Sequence, residues 1–327
     1  MMGLGTALGL AACSATPRPV PDAATPGIVT DGYFTMADGA RLPYRRWLPA
    51  VAPGTDPWLV ILALHGFNDS RDAWEIPAPY FQRVGIAIYA PDQRGFGAAP
   101  DRGLWPGEPV MVDDIVQMAR MMRQRYPRAR LVLMGESMGG ALLMRAATRP
   151  LPPPADAYVL CAPAVWSRAQ MGILLSSGLW LASGVAPWWR VTGEEVPIRV
   201  EASDNRAALL RLAHDPLTII ATRFDVVRGL TNTMDAAQAS APDFTAPGLF
   251  LYGGKDDLVP AEATAAMWRK LPASARCAFY PAGYHLLLRD HDRAAPIGDI
   301  IAWLHDPATW LPSGADVAAG AWLTTQG

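Results

Sequence analysis

The sequence predicts an α/β fold, a mostly parallel central sheet flanked by helices, with a helical cap inserted into it. Three observations lead there. Short apolar runs alternate with helix-period segments across 31–163 and again across 246–305. That rhythm is interrupted from 164 to 245, as an inserted cap would interrupt it. The 327 residues also exceed the prior of about 150 residues for one domain, and a large α/β domain with an insertion accounts for the excess.

The elements follow in order. Gly32–Leu48 reads as two strands joined at Asp38-Gly39, a strong hairpin signal. The runs at 58–64 (WLVILAL), 85–90 (GIAIYA), 130–134 (RLVLM) and 157–162 (AYVLCA) are apolar without alternation, as strands buried on both faces are. Helices are expected over 71–83, 111–126 and 138–149, with Pro127 and Pro150 stopping the last two. After the cap, strands at 248–252 and 276–280 alternate with helices at 260–271 and near 293–304, and 306–327 reads as a loosely attached tail. A parallel sheet of this kind presents its chemistry in the loops beyond the carboxyl ends of its strands.

Composition narrows the classes of function. Hydrophobic residues make up 51%, charged residues 18%, and the net charge is −2, which excludes a disordered chain and leaves no basic footprint for nucleic acid. Cys13, Cys161 and Cys277 are too few and too far apart for a disulfide scaffold, and no C-x-x-C pair stands for zinc. No metal or cofactor is implied. Cys161 and Cys277 fall on strands that a neighbouring strand should separate, so thiols are expected rather than a disulfide.

Residues 1–12, MMGLGTALGLAA, form an uncharged apolar run that ends at Cys13 and gives way to the Pro-rich SATPRPVPDAATPG. Such a run is processing sequence, not fold. Leu10-Ala11-Ala12-Cys13 resembles the lipobox of bacterial lipoproteins. The resemblance implies lipidation at Cys13, a signal and tether over 1–30, and a protein held at a membrane surface of the cell envelope, facing the periplasm or the outside. No Lys or Arg precedes the run, which departs from that pattern and points to a start upstream of Met1, or to a cytoplasmic protein if the leader is not a signal.

A second apolar window, Met171–Trp189, carries no charge between Arg168 and Arg190 and by length alone could span a bilayer. Ser176, Ser177, Gly178, Ser183, Gly184 and Pro187 within it argue against spanning and for an interfacial or pocket-covering lid. Trp180, Trp188 and Trp189 suit a bilayer interface or an acyl-binding wall, and suit simple core packing equally well.

The chemistry concentrates in four segments. Gly135-Glu136-Ser137-Met138-Gly139 fits G-x-S-x-G between an apolar strand and a helix, the strand-turn-helix context in which a serine hydroxyl stands exposed on a sharp turn. Serine is a weak nucleophile, so a base must take its proton and a carboxylate must orient that base. Of the five histidines, His285 is the one directly after a late strand, whereas His291 and His305 lie in or beside the last helix. The strand at 248–252 leads into adjacent carboxylates, of which one must point inward. Gly253-x-x-Asp256 ahead of Leu258-Val259-Pro260 is the usual pattern around such an acid, which selects Asp256 and leaves Asp257 facing solvent. An oxyanion hole then needs two backbone N–H donors, from Met138 after the nucleophile and from Phe67 in the loop after WLVILAL. His65 reads as a structural residue of that loop.

Taken together, HGFNDS (65–70), APDQRGFG (90–97), GESMGG (135–140), SDN (203–205), HDP (214–216), GGKDDLVP (253–260) and AGYHLLLRD (282–290) resemble the α/β-hydrolase superfamily, and within it the monoacylglycerol lipase and lysophospholipase branch. The resemblance runs over about 32–305 in the family's segment order. It implies Ser137, Asp256 and His285 as catalytic residues and Phe67 and Met138 as the oxyanion hole. It further implies bracing roles for Asp92 and Arg94, and structural contacts for Asp204, Asn205, His214 and Asp215 in the cap.

The expected activity is hydrolysis of lipid-type carboxylic esters, a monoacylglycerol or lysophospholipid, through an acyl-enzyme. The same parts serve aminopeptidases and acyltransferases. A peptidase would need a carboxylate for the substrate amine, and Glu194, Glu195 or Glu201 could supply it. A non-catalytic membrane-anchored lipoprotein is the rival from a different class.

Overall fold

The computed structural model describes residues 28–50, 55–193 and 200–326. Cys13, the rest of the leader, and Glu194 and Glu195 lie outside the described residues.

An antiparallel hairpin opens the domain: β1 (Ile28–Thr35) pairs with β2 (Arg41–Leu48) across the turn at Asp38-Gly39, where Gly39 adopts φ +84°. β1 begins at Ile28, inside the stretch expected as tether. Then come β3 (Leu59–Leu64), β4 (Ile86–Pro91), β5 (Arg130–Glu136), β6 (Ala157–Cys161), β9 (Gly248–Gly253) and β10 (Ala275–Tyr280). The sheet runs in the order β1-β2-β4-β3-β5-β6-β9-β10, parallel from β4 onward. β9 lies between β6 and β10, so Cys161 and Cys277 are kept apart and both are free.

The unbroken apolar runs arise because both faces of the sheet are covered. Along β3, Leu59, Ile61 and Ala63 join the core on one face, and Val60, Leu62 and Leu64 join the core on the other. α1 (Ala78–Arg83) and α9 (Ala294–His305) cover the first face. α2 (Glu108–Arg125), α3 (Met138–Ala147) and α8 (Ala261–Trp268) cover the second. Each fully buried aliphatic side chain is worth about 1.5–3 kcal/mol. The helix expected over 71–83 is instead a short 3-10 turn, Arg71–Trp74, followed by α1, because Pro77 cannot continue a helix from the turn before it.

The cap holds α4 (Arg168–Met171), α5 (Ile173–Val185), α6 (Arg206–His214) and α7 (Phe224–Ala239). It also contains a small antiparallel pair, β7 (Arg190–Thr192) with β8 (Ala221–Arg223), too short to register in the sequence pattern. α5 has 13 residues, and no helix among the described residues is long and apolar enough to cross a membrane.

The segment after α9, expected as a loose tail over 306–327, is docked over its described residues 306–326 instead. α10 (Ala315–Thr325) packs on β10 with Ala315 and Ala319 buried. Trp322 stacks on Phe279 at 4.8 Å and meets Trp268 edge-on at 5.1 Å. An Ala/Gly-rich helix anchored by one aromatic shows no clear apolar stripe, which is why the sequence hid it.

Candidate active site

Ser137 stands between β5 and α3 with φ +52° and ψ −114°, a sparsely populated conformation for a non-glycine residue. The tip is held against that strain from three sides. Its N–H donates to the Cys161 carbonyl at 3.0 Å, and its own carbonyl accepts from Ala141 and Ala164, each at 3.0 Å. The flanking glycines are steric requirements. A Cβ on Gly135 would lie 2.5 Å from the Gly139 carbonyl carbon, and one on Gly139 would lie 2.5 Å from the Leu64 carbonyl oxygen.

His285 follows β10 and is buried; Asp256 follows β9 and is buried beside it. The Asp256 Oδ2 lies 2.8 Å from His285 Nδ1. The loops carrying them are joined directly, with Gly254 donating to the Tyr280 carbonyl and Lys255 to that of Gly283. Burial disfavours the imidazolium, yet Asp256 and, more weakly, Glu136 outweigh it and hold the His285 pKa above its usual value. Asp257, one residue on, is exposed, as expected.

Ser137 and His285 share the wall of a cavity of about 840 Å³ with Phe67 and a largely apolar lining from the cap, including Leu179, Ala182 and Met234. Phe67 sits in the turn after β3, and Met138 opens α3, where first-turn amides have no intrahelical acceptor. Phe67 and Ser137 thus line the same cavity, and Met138 directly follows Ser137 at the start of α3. Gly66 allows this approach, since even a Cβ there would lie 3.4 Å from the Ser137 Cβ.

The supporting residues are placed as expected. His65 Nε2 accepts the Gln93 amide at 3.0 Å, so its Nδ1–H donates to the Gly66 carbonyl at 2.8 Å; both nitrogens are committed and the ring is no base. Asp92 gathers the amides of Arg71 and Ala98, each at 2.7 Å, together with the Arg71 guanidinium. Arg94 grips Asp114 with two 2.8 Å bonds. His214 and His291 are exposed, and His305 stacks on Trp58. Asp215 braces its own turn through the Leu217 amide.

Two arrangements went unread in the sequence. Residues from the cap clamp the base loop: Ala202 accepts the Leu286 amide, Ser203 donates to Asp290 at 2.6 Å, and Asn205 donates to the Arg289 carbonyl at 2.8 Å. Asp204 accepts the His291 amide. Beneath the serine, Arg289 pairs with both Glu136 and Asp69. The adjacency of Glu136 to Ser137 was the available signal for the second; for the first, Ser203-Asp204-Asn205 stood out and was expected to make structural contacts, but its partners in the base loop were not marked.

Glu201 is exposed and absent from the cavity wall. Among the described residues no group of three His, Cys, Asp or Glu side chains could hold a metal ion.

Comparison with known proteins gives a consistent set of likenesses. The serine aminopeptidase S33 family matches residues 55–292. The chain is 24% identical over 284 residues to a monoacylglycerol lipase of Mycolicibacterium smegmatis, covering 83% of this chain and 95% of that one. It is 26% identical over 314 residues to the monoglyceride lipase of Rattus norvegicus, covering 94% and 97%. Among solved structures, a soluble variant of the Saccharomyces cerevisiae monoglyceride lipase with a substrate analog superposes with a TM-score of 0.72 at 18% identity, covering 89% and 99%.

Proposed function

The chain belongs to the serine aminopeptidase S33 family of α/β-hydrolases, and on that premise we propose that it hydrolyses lipid-type carboxylic esters, with a monoacylglycerol as the best-fitting substrate. One observation carries this reading. Ser137 and His285, the latter backed by Asp256, open into an apolar cavity large enough for an acyl chain.

In the proposed mechanism Ser137 Oγ attacks the acyl carbonyl and its proton passes to His285 Nε2. The amides of Phe67 and Met138 receive the developing oxyanion. The C–O bond to the alcohol then breaks, His285 returns the proton to the leaving oxygen, and the acyl group stays on Ser137. Water, deprotonated by His285, releases the acid and restores the serine. Asp256 fixes the Nδ1–H tautomer and stabilises the imidazolium that forms twice in each cycle.

The charged side chains on the described cavity wall are Asp69, Glu136 and Arg289, and they are paired with one another. Both carboxylates are buried and tied to Arg289 rather than standing free to hold a substrate amine, which favours esterase over peptidase chemistry. The lipobox-like Leu10-Ala11-Ala12-Cys13 and the exposed Trp180, Trp188 and Trp189 of the cap support a lipid-anchored position at a bacterial membrane surface.

The test is turnover of monooleoylglycerol, lysophosphatidylcholine, short and long p-nitrophenyl esters and an aminoacyl p-nitroanilide, alongside fluorophosphonate labelling of wild type and Ser137→Ala. Labelling that requires Ser137, with the monoacylglycerol preferred, is the expected result. Preferred cleavage of the anilide would move the reading to an aminopeptidase. A folded protein that neither labels nor turns over any substrate would leave the non-catalytic lipoprotein.

A further inference from the structure

We infer that Arg289 is a positioning residue for this site, a single guanidinium that ties the nucleophile turn, the oxyanion turn and the base loop into one unit. The inference rests on the ester-hydrolase reading above. Arg289 Nη2 bonds the carboxylate of Glu136 and lies 2.8 Å from Asp69 Oδ2. Glu136 immediately precedes Ser137, Asp69 follows the oxyanion donor Phe67 by two residues, and Arg289 follows His285 by four. All three side chains are buried and line the catalytic cavity.

Each anchor is itself fixed. Asp69 Oδ1 accepts the Ser70 amide at 2.8 Å, and the Asp69 amide closes the oxyanion turn on the Gly66 carbonyl at 3.4 Å. The Arg289 amide donates to Leu286 at 2.7 Å, and its carbonyl accepts from Asn205 of the cap. Burying a guanidinium between two carboxylates is a poor way to gain stability, because desolvation offsets most of the attraction. What the arrangement specifies is geometry. The loops after β3, β5 and β10 meet at one planar group, so the serine, the oxyanion donors and the imidazole cannot drift independently.

The Arg289 Nη2 is held by Glu136 beside the serine and by Asp69 in the oxyanion turn, so its loss should act through the placement of both turns and thus on the chemical step. A misplacement of about 1 Å costs on the order of 100-fold in rate. Glu136 also faces His285, as do Asp256 from the β9 loop and Arg289 on its own loop; Glu136 and Asp256 act upward on the His285 pKa and Arg289 acts downward.

The experiment compares Arg289→Met, Arg289→Lys and Glu136→Gln with wild type by kcat, KM and pH profile on a p-nitrophenyl ester, and by the rate of fluorophosphonate labelling. Arg289→Met should lower kcat and labelling together by roughly 10- to 100-fold with KM nearly unchanged. Arg289→Lys should recover part of the loss, and Glu136→Gln should move the acid limb to lower pH. Folded Arg289→Met with wild-type kcat and labelling, or a change confined to KM, overturns the inference and leaves the hydrolase reading standing. If Arg289→Met does not fold, Glu136→Gln decides: an unchanged kcat and acid limb overturn the inference. A wild-type protein that neither labels nor turns over esters overturns both readings.

Discussion

Asp256 holds His285 with one carboxylate oxygen and its own loop with the other. Oδ2 lies 2.8 Å from His285 Nδ1, while Oδ1 accepts the amides of Leu258 at 2.8 Å and Val259 at 2.9 Å. The carboxylate is thus immobilised by its backbone before it acts on the imidazole, and the pair behaves as one unit. Burial acts downward on the His285 pKa, and Asp256 together with Glu136 outweighs it and holds the pKa above its usual value. Neutral imidazole is the active form, so kcat/KM should rise with pH along an acid limb displaced upward from that of a free imidazole. Asp256→Asn should move the limb to lower pH and reduce turnover by about 10⁴-fold, the loss typical of a triad deprived of its acid. The linked stability has the opposite sense. A pKa raised on folding contributes stability that is complete below the unfolded value and lost as pH rises through the folded one. A pH series of thermal unfolding on wild type and Asp256→Asn checks both signs.

The nucleophile turn yields a second prediction. Because a Cβ on Gly139 would collide with the Leu64 carbonyl, Gly139→Ala must move either α3 or the end of β3. The expected cost is about 1–3 kcal/mol of stability, with labelling of Ser137 slowed well beyond what that loss explains. Gly298, inside α9, has nothing within 4 Å of its Cβ position, so Gly298→Ala should stabilise by roughly 0.5–1 kcal/mol and leave labelling untouched. Denaturant unfolding with parallel labelling separates the two. Equal labelling rates in both variants would mean that the turn tolerates displacement.

A third prediction concerns the clamp from the cap. Asn205 caps α6 by accepting the Ala208 amide and donates to the Arg289 carbonyl, so one side chain serves the cap and the base loop together. Asn205→Ala should cost about 1–3 kcal/mol through the lost cap and the buried carbonyl left unsatisfied. Hydrogen exchange should rise in 284–290 as well as in α6. Exchange confined to α6 would show that the base loop does not depend on the cap.

How much of this was legible in the sequence follows from the range of the forces involved. The sheet was readable because a strand covered on both faces must be apolar at every position, as at 59–64 and 86–90. Ser137, Asp256 and His285 were readable because each follows an apolar run, and strand ends are where such a sheet exposes its loops. Arg289 and Ser203 were not. Ser203 meets Asp290 across 87 positions, and Arg289 meets Glu136 across 153. Local periodicity carries no trace of such pairings. α10 escaped for a related reason: the Trp322–Phe279 stack that holds it is a tertiary contact on a helix of weak pattern.

The final prediction tests the surface of the cap. In α5, Gly178, Leu179 and Ala182 line the cavity, yet Trp180 on the opposite side is 65% exposed, and Leu181 and Val185 are 58% and 69% exposed. Trp188 and Trp189, just beyond the helix, are 62% and 61% exposed. A helix apolar on both sides ordinarily has both sides covered. Here one side faces the proposed acyl cavity and the other faces outward, as a surface that meets lipid would. Each indole entering an interface should contribute about 1 kcal/mol, so Trp180→Ser, Trp188→Ser and Trp189→Ser combined should weaken vesicle binding on the order of 100-fold. Turnover of a short, monomeric p-nitrophenyl ester should stay unchanged, since none of the three lines the cavity. Sedimentation with anionic and zwitterionic vesicles, alongside hydrolysis of vesicle-borne monoacylglycerol, measures the difference. A triple variant that binds vesicles and hydrolyses their monoacylglycerol as wild type does would assign the lipid contact elsewhere.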